Sequence, residues 1–315
     1  MSYQLFPKVH RIQYGFSEYG ANVGGYLIVD ENVALIDAGH EQNSLEKVVT
    51  YLEEDLNRSA EDVNFIFLTH AHPEQITGLS KISKYLPNAE ILAEKSLAIQ
   101  LEKPRDFLRK RAFRLPGYEL KYLDKLVDKV PKKLKVIGFK SSKEIYLGNS
   151  SILPVLLSSH SYGHSIFFHK ESKALFVGDS LYSSSDDPTS VFIDSSGSVH
   201  SFIKSLDFFE NANFKALCPS SEEPVLSHGR SVINNVKQSF QLLLIQGIKN
   251  LLGQKGNSLY NIQALFLNRY SPSYAVSEGK DYLVLTISRI LDFLVETGNA
   301  KKTGNDWSDY LFFKA

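Results

Sequence analysis

The 315-residue chain has few of the features that mark secreted, membrane or strongly nucleic-acid-binding proteins. Its single cysteine excludes a disulfide within the chain. Its 35 basic residues balance 35 acidic ones, so net charge predicts no global attraction to nucleic acid. No apolar run approaches the roughly 18 residues of a membrane helix. Residues 1–7 also lack the basic and apolar stretches of a secretion signal. We therefore expect a cytoplasmic protein with no membrane partner, in which Cys218 is a buried core thiol.

Polar residues that suit a metal ion follow three apolar runs. Residues 64–69 form a short β-type run that ends at His70 and His72. Two histidines one residue apart at a strand end can point the same way and share one divalent metal. A second run precedes His160, and a third ends at Asp179. Three imidazoles and a carboxylate form a ligand set that suits zinc best, although iron and manganese also accept it.

These motifs, in this order, resemble those of the metallo-β-lactamase superfamily, and the resemblance covers most of the chain. The resembling segments are the opening hairpin at 22–39 with Asp37, the metal loop at 69–72, the third histidine motif at 160–164 and the aspartate motif at 177–179. The resemblance implies an α/β (α+β) fold, the αββα sandwich, with the site residues on loops at strand ends.

The chain departs from the family's pattern at three positions. The family's metal loop reads His-x-His-x-Asp-His, but this chain has Glu74 and Gln75 in place of the Asp and the last His. A later loop that usually carries a histidine has Ser221. The resemblance implies that one metal is held by residues matching His70, His72, His160 and Asp179. It implies that a second metal would be held by residues matching Glu74, Gln75, Ser221 and Asp179.

The replaced ligands predict a single metal ion. Glutamine is a poor substitute for imidazole, and serine is a poor ligand unless it is ionised, so a second metal is not expected. We predict that Glu74 acts as general base or substitute ligand, and that Asp179 completes or bridges the site. Three histidines and Asp179 around one metal would also form a closed, structural type of site, so a degenerate centre stays open.

Four further residues are expected beside the metal ligands. Asp37 is predicted to fix a ligand or a loop rather than to bind metal. His164 is predicted to orient His160 or to contact substrate. Gln75 and Ser221 are expected to support the site or contact substrate.

The chain is predicted to divide into three parts. Residues 1–225 would form the metallo-β-lactamase-like domain, with a basic helical insert at about 103–143. That insert carries 14 basic against 4 acidic residues. It is either a rim that attracts RNA or a phosphate-bearing substrate, or a solvated charged face, which we favour. Residues 226–256 would form a connecting helix.

Residues 257–315 are predicted to contain two helices followed by a β-hairpin. This order resembles the winged-helix-like domain that follows the catalytic domain in the lactamase-β-2-like branch, which includes endoribonucleases. The second helix, at 281–296, offers little positive charge. We therefore favour a packing or homodimer-forming role for this part over nucleic-acid binding.

The predicted function is hydrolysis of an ester, thioester or phosphodiester by water activated on one metal ion. The substrate would be a small or phosphate-bearing molecule. The alternative is a non-catalytic relative that binds RNA, a nucleotide or a protein.

Overall fold

Two β-sheets and their flanking helices organise the computed structural model. It describes residues 2–17, 22–181, 191–270, 280–305, 307 and 309–315. The seven-stranded sheet has the strands in chain order, antiparallel from β1 to β4 and parallel from β4 to β7. These strands are β1 Tyr3–Phe6, β2 Val9–Phe16, β3 Asn22–Val29, β4 Val33–Ile36, β5 Val63–Phe67, β6 Glu90–Glu94 and β7 Ile137–Phe139.

The five-stranded sheet has the order β12-β11-β10-β9-β8, and only its β11–β12 pair is parallel. Its strands are β8 Ile145–Tyr146, β9 Ser151–Leu156, β10 Ser165–His169, β11 Ala174–Gly178 and β12 Ala216–Pro219. The predicted mixed α/β fold is confirmed, and it matches the sandwich arrangement.

The described helices vary from single turns to 17 residues. They are α1 Ser44–Asp55, α2 Pro73–Ile76, α3 Ile82–Tyr85, α4 Lys95–Leu101, α5 Pro104–Phe107, α6 Lys121–Lys129, α7 Val199–Asn211, α8 Gly229–Ser239, α9 Gln246–Leu251, α10 Leu259–Tyr270 and α11 Lys280–Glu296. Short 3₁₀ segments lie at Ala60–Asp62 and Thr77–Lys81, and π-helical segments at Leu108–Ala112 and Phe240–Ile245. None of the helices in the described part of the chain has the length and apolar character to cross a membrane.

Aromatic side chains fill the space between the two sheets. Phe67 on β5 packs against Phe167 on β10, with ring centroids 5.5 Å apart. Tyr26 on β3 packs against Phe176 on β11 at 4.9 Å. Cys218 on β12 is fully buried in this cluster, as predicted, and burial raises the pKa of its thiol. Because alternate residues of these strands face the core, burial fixes the register of both sheets. It thereby also fixes the positions of the strand ends that carry the site.

A buried arginine ties the last strand of the second sheet to the first sheet. Arg11 on β2 has no exposed surface, and its guanidinium lies 4.7 Å from the centre of the Tyr26 ring. It donates hydrogen bonds to the carbonyl oxygens of Pro219 at 3.1 Å, Ser220 at 3.3 Å and Glu222 at 2.8 Å. The Arg11 guanidinium therefore holds the loop that carries Ser221 through hydrogen bonds to its backbone.

The C-terminal part has the predicted order of two helices followed by a hairpin. Ser258 accepts a hydrogen bond from the Asn261 amide at 3.2 Å and so caps α10. Three strands form a sheet of order β13-β15-β14. They are β13 Asn257–Ser258, which precedes α10, and β14 Ala300–Thr303 and β15 Leu311–Lys314, which follow α11. Asp306, in the predicted turn, lies outside the described residues. The winged-helix assignment, the domain boundaries and the homodimer stay predictions.

Candidate metal centre

The three predicted histidine ligands meet at the end of β5. His70 and His72 lie three and five residues after the end of β5, and His160 lies in the loop between β9 and β10. All three are buried, and one ring nitrogen from each lies within 4.8 Å of the others. Two of these nitrogens, His160 Nε2 and His72 Nδ1, are 3.0 Å apart. The structure therefore brings the predicted trio together around one point.

The outward-facing nitrogens of two histidines have acceptors that fix their protons. The Nδ1 of His160 donates to the carbonyl oxygen of Phe192 at 2.7 Å. The Nε2 of His72 donates to Oδ2 of Asp194 at 2.8 Å. A carbonyl or a carboxylate can only accept, so each of these outer nitrogens carries the hydrogen. The inner nitrogens of these two rings are then left with lone pairs.

The third histidine is held through Thr69 and Asp37. The Nδ1 of His70 lies 2.9 Å from Thr69 Oγ1, whose hydroxyl donates to the Asp37 carboxylate at 2.9 Å. Ser220 donates to the same carboxylate at 2.6 Å. Burial raises the pKa of Asp37 to about 6, while these hydrogen bonds act to lower it. Asp37 thus supports a ligand loop without belonging to the histidine trio.

This donor set fits a divalent cation. Burial, reinforced by the neighbouring imidazoles, holds the pKa of His70 and of His160 well below 6.5, so both rings are neutral. The Nε2 of His70 is buried and has no hydrogen-bond partner among the described residues. Three imidazoles that aim nitrogen lone pairs at one point repel each other unless a cation lies between them. Nitrogen donors with oriented outer N–H groups are the arrangement that metal-binding histidines adopt.

Asp179 lies beside the trio and is contacted by Gln75 and Ser221, two of the three residues that replace family ligands. Its Oδ2 lies 3.5 Å from His70 Nε2 and accepts a hydrogen bond from Gln75 Nε2 at 3.1 Å. Its Oδ1 accepts from Ser221 Oγ at 2.9 Å. Burial, and next the nearby Glu74 carboxylate, raise the pKa of Asp179 to about 7. The predicted positions Gln75 and Ser221 therefore meet at one carboxylate.

Glu74 lies in the first turn of α2 and is buried. Its Oε1 accepts a hydrogen bond from the Tyr282 phenol at 2.5 Å. Glu74 also lines a cavity of about 240 Å³, together with His40, Thr77 and Tyr122. The carboxylate is thus close enough to Asp179 to raise its pKa and also borders a space into which a small molecule fits.

His164 lies against the trio without joining it. Its ring centroid is 5.0 Å from that of His70, and Ser180 lies 2.8 Å from its Nδ1. Burial lowers the pKa of His164 to about 3, so its ring is neutral. Gly178 has a φ of +56°, and a Cβ there would lie 2.6 Å from His164 Nε2. The glycine before Asp179 is therefore required both by its backbone and by this close approach.

Several residues of the site carried no prediction from the sequence. Phe113 and Phe192 flank His72 with ring centroids 5.2 and 5.4 Å away. Asp194 follows the short apolar run 191–193, which is a weaker form of the pattern that marked the other site residues. Tyr282 gave no signal, because it lies 208 residues from Glu74 in the chain.

Asp194 is built to orient His72. Its Oδ1 accepts hydrogen bonds from the Ser196 amide at 2.7 Å, the Ser196 hydroxyl at 2.7 Å and the Gly197 amide at 2.8 Å, while Oδ2 accepts from His72. We expect Asp194→Asn to weaken zinc binding by roughly 10- to 100-fold, because an amide in this place no longer fixes the imidazole proton as the carboxylate does.

The measurement is a zinc competition titration against a chromophoric chelator. Asp55→Asn, an exposed change at the end of α1, is the matched control. Equal zinc affinity in the wild type and both variants would show that Asp194 does not orient a metal ligand.

A comparison with models of protein families identifies one family. The sequence model of the metallo-β-lactamase superfamily matches residues 24–221. No curated protein matches the sequence. A metallo-β-lactamase family protein from Thermus thermophilus has a TM-score of 0.78 at 18% identity, covering 99% of this chain and 100% of that one. A β-lactamase domain protein from Burkholderia ambifaria has a TM-score of 0.75 at 14% sequence identity, and the match covers 100% of this chain and 93% of that one.

A metallo-β-lactamase from Pontibacter korlensis has a TM-score of 0.56 at 13% identity, and covers 76% of this chain and 98% of that one. At such identities the likeness concerns the fold alone. The first two structures cover nearly the whole chain, so their folds extend over residues 257–315 as well.

Proposed function

The chain belongs to the metallo-β-lactamase superfamily, and from this premise we propose that it is a hydrolase that uses a single divalent metal ion, zinc before iron or manganese. The observation that carries the proposal is the convergence of His70, His72 and His160 through their unprotonated nitrogens. This ligand set matches the first metal site of the family, which the chain keeps intact.

The surroundings of Asp179 and Glu74 support one metal rather than two. In the family, a second metal would lie against positions matching Glu74, Gln75 and Ser221. Here Gln75 and Ser221 both donate hydrogen bonds to Asp179, and Tyr282 donates one to Glu74. Hydrogen-bond donors therefore face the carboxylates that a second cation would otherwise neutralise.

The proposed chemistry divides between the cation and the protein. A divalent cation held by the three histidines would act as a Lewis acid and lower the pKa of a water molecule toward neutral pH. Glu74 would accept the proton of the attacking water as general base. Asp179 would help the three histidines to hold this cation. Phe113 and Phe192 cover the faces around His72 and keep bulk water from that side.

The cavity beside Glu74 supports a small substrate. Its volume of about 240 Å³ lies just below the roughly 300 Å³ at which drug-sized pockets begin. Phe16, Tyr122 and Leu126 give it apolar walls, while His40 and Lys129 add polar ones. We propose that it receives a small organic group next to an ester, thioester or phosphodiester bond.

The basic insert supports a second candidate function, binding of RNA or another phosphate-bearing molecule without turnover. Of its 14 basic side chains, every one except Arg105 is exposed. The acidic residues of the insert already face Arg109, Lys110 and Lys121 in ion pairs. The exposed cations outnumber these acids, and they therefore form a surface whose affinity for a polyanion would fall as salt rises.

Metal analysis joined to a turnover screen separates the two candidates. We expect about one zinc, iron or manganese ion per chain in protein purified without added metal or chelator, as in a single three-histidine site. We also expect turnover of at least one of p-nitrophenyl acetate, a chromogenic thioester or bis(p-nitrophenyl) phosphate. If the protein holds no metal even after reconstitution, binds single-stranded RNA in a salt-sensitive way and does not cleave it, the binding function would be favoured over the hydrolase.

A further inference from the structure

The first turns of α11 reach the hydrolytic site from the far end of the chain. Tyr282 is buried, and its phenol donates to Glu74 Oε1 at 2.5 Å. A hydrogen bond from a phenol to a carboxylate is among the stronger kinds, because the acceptor is charged. The sequence assigned this helix to packing or dimer formation and gave it no place in the site.

The ring of Tyr282 is itself held in place. It meets the Phe192 ring edge to face, with centroids 4.7 Å apart and planes at 86°. The Tyr122 ring, which lines the cavity, lies 6.2 Å from it. Contacts on two sides of the ring restrict its rotation and so hold the phenol oxygen beside Glu74.

Two polar contacts fix the helix that carries this tyrosine. Asp281 Oδ2 accepts hydrogen bonds from the Tyr122 amide at 3.0 Å and the Leu123 amide at 3.3 Å, in the first turn of α6. One turn after Tyr282, Thr286 Oγ1 accepts from the Ile193 amide at 3.2 Å. Ile193 lies between the two residues that orient His160 and His72, so α11 is joined to the same segment that supports the metal ligands.

We propose that Tyr282 is a positioning residue of the hydrolytic reaction, which acts by fixing the Glu74 carboxylate. Holding one carboxylate oxygen fixes the direction of the other, and a general base works well only when it faces the proton that it accepts. The C-terminal part of the chain then supplies a component of the site, which is incomplete without α11. This inference rests on the proposed function, because it assigns Tyr282 a role in that reaction.

The test begins with Tyr282→Phe in the full-length, metal-loaded protein, because this change removes the phenol oxygen and keeps the ring. We expect kcat on p-nitrophenyl acetate or bis(p-nitrophenyl) phosphate, whichever the wild type hydrolyses, to fall about 10- to 100-fold, as for a misplaced catalytic group. KM is expected to stay within about threefold, since the ring contacts remain. Metal per chain should not change. Tyr260→Phe, an exposed tyrosine on α10, is the matched control.

A double-mutant cycle with Glu74→Gln distinguishes positioning from a general structural role. If Tyr282 acts through Glu74, the double variant should be no slower than Glu74→Gln alone. A second cycle, in which Glu74→Ala removes the acceptor and stability is measured by urea unfolding, should give a loss of stability in the double variant that is smaller than the sum of the single losses. Additive effects on both kcat and unfolding would overturn the inference.

The outcomes also separate this inference from the proposed function. A Tyr282→Phe variant with wild-type kcat, in a protein that His160→Ala inactivates, would overturn the role of Tyr282 and leave the hydrolase standing. A wild type that binds metal but turns over none of the probes would overturn the hydrolase and the positioning role together.

Discussion

Replacement of His160 by alanine is expected to remove the metal ion and hydrolysis together. The variant keeps two of the three imidazoles, and two histidines with one hydrogen-bonded carboxylate form a weaker site than the three-nitrogen set. It also removes the donor to the Phe192 carbonyl, which loosens the segment that carries Asp194. We expect metal per chain to fall from about one to near zero after dialysis, and turnover to fall by at least about 10³-fold, the scale of losing metal-activated water.

The measurement is elemental analysis and a turnover assay on the same dialysed sample. His200→Ala is the matched control, because His200 is an exposed histidine that pairs with Glu296 at the surface. We expect that variant to keep both metal and activity. Retention of metal and turnover by His160→Ala would show that the histidine trio is not the reactive centre.

The three histidine ligands could be predicted from the sequence because the pattern that indicates them is local. Each predicted residue follows an apolar run, and an apolar run that is long enough for a strand ends at the edge of a sheet. The structure confirms the mixed α/β fold. Local periodicity and strand-end placement thus carry information about the fold and about the position of a ligand together.

Asp194 and Tyr282, which support the site, could not be predicted from the sequence because their contacts depend on tertiary packing. Asp194 follows an apolar run of three residues that does not become a strand, so its pattern was too short to stand out. Tyr282 meets Glu74 only because the fold brings α11 within hydrogen-bond distance of α2. The predicted connecting helix contains the π-helical segment Phe240–Ile245, and a 3.6-residue pattern does not reveal that irregularity.

For Gln75 and Ser221, the residue type predicts poor metal binding but does not predict the contacts that the two side chains make. The sequence predicts that neither is a good metal ligand, and that statement follows from their chemistry alone. Their contacts with the two oxygens of Asp179 depend on the approach of the loop at 219–222 to α2, which Arg11 supports from β2. Poor ligands at these positions thus become hydrogen-bond donors to a carboxylate that the family uses for metal.

Replacement of Glu74 by glutamine is expected to stop the chemistry without removing the metal. The amide has almost the same size as the carboxylate, and its oxygen can still accept the hydrogen bond from Tyr282. It cannot take a proton from water, so we expect kcat to fall by about 10²- to 10⁴-fold, the contribution of a general base. Metal per chain should remain that of the wild type, because the three histidines are untouched. The assay is steady-state turnover with elemental analysis of the same preparation.

The comparison of Glu74→Gln with His160→Ala separates proton transfer from metal binding. Glu53→Gln, an exposed change on α1, serves as the charge-matched control and should leave both readouts unchanged. Loss of metal in Glu74→Gln would identify Glu74 as a substitute ligand rather than a base. Wild-type turnover in that variant would instead remove Glu74 from the reaction. If metal stays and turnover falls, the intact histidine trio binds the cation while Glu74 acts in the proton transfer, which is the division of labour expected of a one-metal hydrolase.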